Sequence, residues 1–182
     1  TLAGRTSENR LYLTSSNEWN CPQTEKAYLW FQRYLRGLIA TGVSNNTTLD
    51  AIRKGGDNKN RVLEEMMFAD LGICDVVLSG TKEKPTIATV HQLEKADGSK
   101  KQYSLLLGQE SMGTQRFFSQ IGSWIESLEA GAVLVVDEIE SSMHPLLTRH
   151  LIEMFQDQTI NDKHAQLIFT THDTGLLDLK LL

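Results

Sequence analysis

Two adjacent acids, Asp137 and Glu138, follow the continuous apolar run at 132–136 (AVLVV). A run of that length and composition predicts a buried parallel strand. In an open α/β sheet the carboxyl end of such a strand faces the ligand crevice. There the first carboxylate suits Mg²⁺, held directly or through water, and the second can polarise a water for attack on a γ-phosphate. The plainer alternative is a strand followed by an acidic surface turn. His172 follows 167–171 (LIFTT), which is expected to be a second buried strand. If the two strands are neighbours, His172 emerges beside Glu138 and can donate a hydrogen bond to the same phosphate; otherwise it is a buried capping histidine. Ser111 and Gly113 open an amphipathic stretch in ESMGTQR, 110–116. Serine is a favoured N-cap, and a helix start with a hydroxyl and a close glycine backbone is equally a phosphate site. Arg116 is read as a solvated helix residue. In IESSMHP, 139–145, His144 and Pro145 supply a cap and a first-turn proline, in a loop that can also reach a second subunit's nucleotide.

The elements that must hold these residues follow from periodicity. Residues 113–129 predict a helix with Phe117, Ile121, Trp124, Ile125 and Leu128 on its apolar face. A second helix is expected over 145–155. Helix, strand, helix and strand with short links make an α/β layered unit. Upstream, Pro22 opens a helical pattern in which Tyr28, Phe31, Leu35 and Leu38 recur at spacings of three and four, with a stop expected near Gly42. Residues 49–71 predict more helix, with Leu63, Met66, Met67 and Leu71 on one face and Gly72 as its stop. Residues 73–78, 86–93 and 102–107 read as strands, with Asp97-Gly98 as a hairpin turn. The lysine-rich stretch 82–101 reads as a solvated rim, and 1–20 as polar and irregular. Trp19, Trp30 and Tyr34 can stack on bases, but the spacing of Trp30 and Tyr34 makes them packing candidates.

Composition narrows the classes. The 182 residues are 40% hydrophobic and 23% charged with a net charge of −5, which excludes a disordered chain and a generally basic nucleic-acid binder. Cys21 and Cys74 form neither a disulfide framework nor a metal spacing, as expected of a reducing cytoplasm. No apolar run reaches the roughly 18 residues of a membrane span. The chain opens at Thr1 rather than Met and closes on Leu181-Leu182, so it reads as a piece of something longer.

Taken in order, Ser111-x-Gly113, a helix, a strand ending in Asp137-Glu138, a loop ending in His144-Pro145, and a strand ending in Thr-His172-Asp form one pattern over 108–178. It resembles the carboxyl-terminal half of an ABC-type ATPase head. The wording is closest to AAA ATPases of the overcoming-lysogenisation-defect kind, relatives of the SMC-type repair ATPases. Met112, Thr114 and His144 depart from the transporter branch and fit this one. The resemblance implies a signature motif at 110–116, a Walker B motif at 132–138, a D-loop at 139–145 and a switch histidine at His172. It further implies ATP and Mg²⁺ as cofactors and a homodimer that sandwiches ATP. Asp137 would assist Mg²⁺, Glu138 act as general base and His172 sense the γ-phosphate. Ser111 and Gly113, with His144 from the D-loop, would meet the nucleotide of the opposite protomer.

The fold class expected is α/β, a partial P-loop NTPase sheet with flanking helices. Residues 1–72 are expected as a helical insert or arm and 73–182 as the ABC-ATPase-like core. No Gly-x-x-x-x-Gly-Lys-Ser/Thr occurs in the 182 residues, and without that phosphate cradle they are expected to be inactive alone. Phage defence or DNA maintenance is the expected setting, with a Toprim-type nuclease partner or nucleic acid as further partners and no membrane. Two other functions compete. One is a non-enzymatic dimerisation or docking module. The other is a metal-dependent nuclease built on Asp137, Glu138 and Glu140, which is disfavoured because these acids share one strand end.

Overall fold

The structure is a computed structural model that describes residues 7–38, 45–69, 72–94, 98–141 and 143–177. Its centre is a parallel sheet of strands β1 (Leu35–Leu38), β5 (Val133–Val136) and β6 (Gln166–Phe169), in the order β1-β5-β6. Val133 lies opposite both Leu35 and Gln166, and Val136 opposite both Leu38 and Phe169. Strand β5 is therefore paired on both edges, as its unbroken apolar run requires. Leu134 and Val136 are buried.

Helix α5 (Met112–Ala130) is the spine of the core. Phe117, Phe118, Ile121 and Trp124 are fully buried along it, and Trp124 meets Phe155 edge-on at 5.5 Å. The helix stops at Gly131, whose φ of +61° is the left-handed conformation that glycine adopts without strain. Helix α6 (Pro145–Gln156) buries Leu147, Leu151, Ile152 and Met154. Helices α3 (Asn46–Lys54) and α4 (Gly56–Ala69) also pack against α5. The approach of α3 is close: Thr48 Oγ1 donates to the Phe118 carbonyl at 2.8 Å and accepts from Gly122 N–H at 3.0 Å. A Cβ on Gly122 would stand 2.3 Å from the Thr48 nitrogen, so only glycine fits.

Strands β2 (Ile73–Gly80), β3 (Pro85–Glu94) and β4 (Lys100–Leu106) form a separate antiparallel sheet in sequence order. The strand expected over 86–93 is β3, and the solvated rim expected over 82–101 gives way to ladder at its ends as well, where Glu94 pairs with Lys100 and Leu93 with Lys101. The charged side chains occupy the exposed face and ends, while the backbone is consumed by the ladder. The expected turn residue Asp97 lies outside the described residues, as do Gly42 and Leu71.

Other expectations are corrected. The helix opening at Pro22 is α2 (Pro22–Tyr34) and does not run on; Leu35 begins β1 instead. The three-and-four spacing through Leu35 and Leu38 is real, but the edge offered by β5 overrides it. Trp30 is 46% exposed and α2 buries no residue, so Trp30 and Tyr34 pack on each other, with ring centroids 6.1 Å apart, and not into the core. The helix expected over 49–71 is two helices as far as Ala69, α3 and α4, broken at Gly55. Their inward face carries Val62 and Met66, while Met67 is 45% exposed. Within 1–20, Tyr12–Glu18 is a short helix, α1.

Candidate nucleotide-handling site

The parallel pairing of β5 with β6 sets the geometry. Each strand reaches its last sheet residue at the same level, Val136 beside Phe169, so the residues beyond them emerge together. His172 Nε2 lies 3.6 Å from Glu138 Oε1. That is beyond hydrogen-bond reach, so the two groups face the same space without closing it. Both side chains are open to solvent, His172 at 85%. The neighbour relation expected from the sequence is the one observed.

Thr170 fastens the acids. Its hydroxyl donates to Asp137 Oδ1 at 2.6 Å and accepts the Glu138 N–H at 2.8 Å. Its carbonyl accepts the Ile139 N–H at 3.1 Å. Glu138 has φ +50°. A non-glycine residue in that region costs on the order of 1 kcal/mol and persists only where its surroundings hold it. Here the holders are Thr170 on one side and, on the other, the Ser141 N–H, which donates to the Glu138 carbonyl at 2.8 Å. Ile139, the next residue, is buried in the core.

Glu140 fastens the histidine. Its Oε1 accepts the His172 N–H and its Oε2 the Thr171 hydroxyl, each at 2.7 Å. Partial burial raises the Glu140 carboxyl, but these two bonds and the neighbouring His172 outweigh it and hold the group below the ordinary carboxylate range. The sequence offers Glu140 only as a third acid of a nuclease site; in the fold its oxygens are taken up by the loop that carries His172.

The chemistry of the donor set fits Mg²⁺. Asp137 is exposed and commits Oδ1 to Thr170. Among the described residues no group of three or more His, Cys, Asp or Glu side chains forms a cage. Mg²⁺ in nucleotide sites takes one or two carboxylates and completes its shell with water and phosphate oxygens, which is what one carboxylate at a strand end can offer.

The other expected residues stand on helix starts. Ser111 caps α5, its hydroxyl accepting the Thr114 N–H at 3.1 Å. Ser111 and Met112 are exposed, Met112 at 71%, while Gly113 is half-buried and Thr114 buried. His144 caps α6 through Nδ1, which accepts the Leu146 N–H at 3.3 Å, with Pro145 in the first turn. Ser142 of that loop lies outside the described residues. Arg116 differs from expectation: burial pushes its guanidinium down from the ordinary value, and its Nε and Nη2 are buried without a hydrogen-bond partner among the described residues. It is a half-buried cation beside the Ser111 turn, not a solvated one.

Sequence reasoning missed Thr170 and the positioning part of Glu140. The available signal was a hydroxyl at the end of an apolar strand, Thr170, facing two acids across the sheet. It also missed the polar cluster behind the Ser111 turn, where His91 and Glu110 are buried together.

No helix among the described residues is long and apolar enough to cross a membrane. A search of curated proteins finds no match. Residues 30–178 match the model of the family described as "AAA domain, putative AbiEii toxin, Type IV TA system". That span takes in both sheets, the Asp137-Glu138 strand end and His172, and the chain belongs to this AAA-domain family, with the mixed α/β fold of a partial P-loop NTPase.

Proposed function

We propose that this chain is the catalytic-strand portion of an ABC-type ATPase head of the overcoming-lysogenisation-defect-like, SMC-related kind. The observation that carries this reading is the meeting of Glu138 and His172, 3.6 Å apart at the ends of neighbouring parallel strands. Membership of the AAA-domain family supports a nucleotide-binding role. Asp137 would hold Mg²⁺. The chemistry such an ion would supply there is neutralisation of phosphate charge. Glu138 orients a water and takes its proton as the water attacks the γ-phosphorus. The bond from that phosphorus to the β–γ bridging oxygen breaks, and ADP leaves with phosphate released. His172 donates to the γ-phosphate and so ties the strand-end loop to the presence of ATP.

Ser111 and Gly113 act in trans. Their turn, exposed at Ser111 and Met112, offers a capped helix start, which meets the nucleotide held by the opposite protomer. His144 approaches the same interface from the loop before α6. A homodimer closed around ATP therefore joins the two halves of each site. The phosphate cradle itself comes from outside these 182 residues, which contain no Gly-x-x-x-x-Gly-Lys-Ser/Thr. Pure 1–182 should show no turnover. Cytoplasmic phage defence or DNA maintenance is the setting proposed, with a Toprim-type nuclease or nucleic acid as the downstream partner.

Glu138→Gln in the assembled ATPase tests the reading. ATP binding and ATP-driven association should persist while hydrolysis falls by about 10²–10⁴-fold, the usual worth of a positioned general base. Undiminished hydrolysis would remove Glu138 from the role of base.

A further inference from the structure

We propose that the buried His91–Glu110 pair is a positioning device that fixes the Ser111–Gly113 turn from behind, an inference that rests on the ATPase reading for its functional consequence. The alternation of β3 puts Thr89 and His91 on its inward face. Their side chains converge on one oxygen. His91 Nε2 lies 2.7 Å from Glu110 Oε1, and the Thr89 hydroxyl donates to that same oxygen. The His91 and Glu110 side chains are 6% and 5% exposed. The Tyr103 ring, from the neighbouring strand β4, stacks on His91 at 5.1 Å and 14°.

Glu110 is the residue immediately before the Ser111 cap. Its N–H donates to the Leu107 carbonyl at 3.1 Å, and its carbonyl accepts the Gln115 side-chain amide at 2.8 Å. The side chain, the N–H and the carbonyl of Glu110 are thus all held, while Ser111 and Met112 are exposed. The exposed residues Ser111 and Met112 take their position in part from the buried residue before them. The antiparallel sheet supplies that hold, although it contributes no expected nucleotide contact itself.

Energetics favour position over stability as the use of the pair. Burying a carboxylate and an imidazole costs desolvation that their contact only offsets, and a well-packed apolar pair is often as stable or more so. Breaking such a pair from one side is costly, because the remaining polar group is left buried and unpaired. The single changes are therefore poor tests, and the informative variant removes both partners together.

The experiment uses the double variant His91→Leu/Glu110→Met, with wild type as reference. Hydrogen exchange of the Thr114 and Gln115 amides reads the turn in the chain without nucleotide. ATP-driven association and the split between KM and kcat are read in the assembled ATPase. The expected result is a melting temperature near wild type, exchange at the turn faster by about tenfold or more, and association and kcat reduced by about tenfold with KM for ATP unchanged, because the turn acts on the partner's nucleotide. Unchanged exchange would overturn the proposal. Loss of folding in the double variant would also overturn it, by making the pair a stability element. Faster exchange with no ATP-driven association even in wild type would count against the ATPase reading and leave the positioning of the turn standing.

Discussion

Replacing Glu140 by glutamine separates the holding of His172 from any acid–base chemistry, and it does so in the chain itself. The carboxylate accepts two hydrogen bonds at 2.7 Å, from the Thr171 hydroxyl and the His172 N–H. Glutamine keeps one acceptor oxygen and turns an NH₂ group toward the other donor. One bond to a charged group is lost at a partly exposed site, worth about 1 kcal/mol net. For a chain of this size that is about 2–4 °C in melting temperature. The sign with pH comes from the depressed carboxyl. A group whose folded pKa lies below its unfolded value contributes stability above the unfolded pKa, about 4.3 for glutamate, and loses it as pH falls through the folded pKa. The gap between wild type and Glu140→Gln should therefore be full at pH 7 and shrink below about pH 4. Thermal unfolding across pH 3–7 measures it, and exchange of the His172 amide should accelerate at neutral pH alone. A melting gap independent of pH, or no gap at pH 7, would refute the assignment of Glu140 as the ionised clamp of the histidine loop.

Two further outcomes rest on the same geometry. Thr170→Val removes the hydroxyl that bonds both Asp137 and the Glu138 N–H; stability should fall by only about 1 kcal/mol at this exposed position, while kcat in the assembled ATPase falls by tenfold or more with little change in KM, read by steady-state kinetics. Gly122→Ala places a Cβ 2.3 Å from the Thr48 nitrogen, so α3 must move off α5; chemical denaturation should show a loss of about 1–3 kcal/mol or more, the usual cost of overpacking.

The helices and strands that frame the site are legible because their signals are local. Residues 132–136 are an unbroken apolar run, 167–169 are a shorter one followed by two threonines, and Phe117 to Leu128 repeat at helical spacing. The second run, expected as a buried strand, is the edge strand β6, where Ile168 is exposed. Once those two runs are strands, parallel pairing alone brings Glu138 and His172 together. Strand β1 was not legible, because Leu35 and Leu38 continue the spacing of the preceding helix and only the distant edge of β5 makes them extended. The clamps at Thr170 and Glu140 were hidden for a related reason. Thr170 bonds residues of another strand, and Glu140 bonds a loop more than thirty positions away. His91 carries a cue, a polar residue at an inward position of an alternating strand, but its partner Glu110 reads as the start of a helix cap.

Subunit mixing tests most directly whether each site is shared between two protomers. In the assembled ATPase, Ser111→Arg subunits should lack a usable signature turn and Glu138→Gln subunits should lack the base, so each alone should be inactive. Mixed one to one, half the symmetric dimers are mixed and each regains one intact site, so about a quarter of wild-type turnover should return. Turnover that stays at the level of the separate variants would contradict a nucleotide site built from Glu138 and His172 of one protomer and Ser111 of the other.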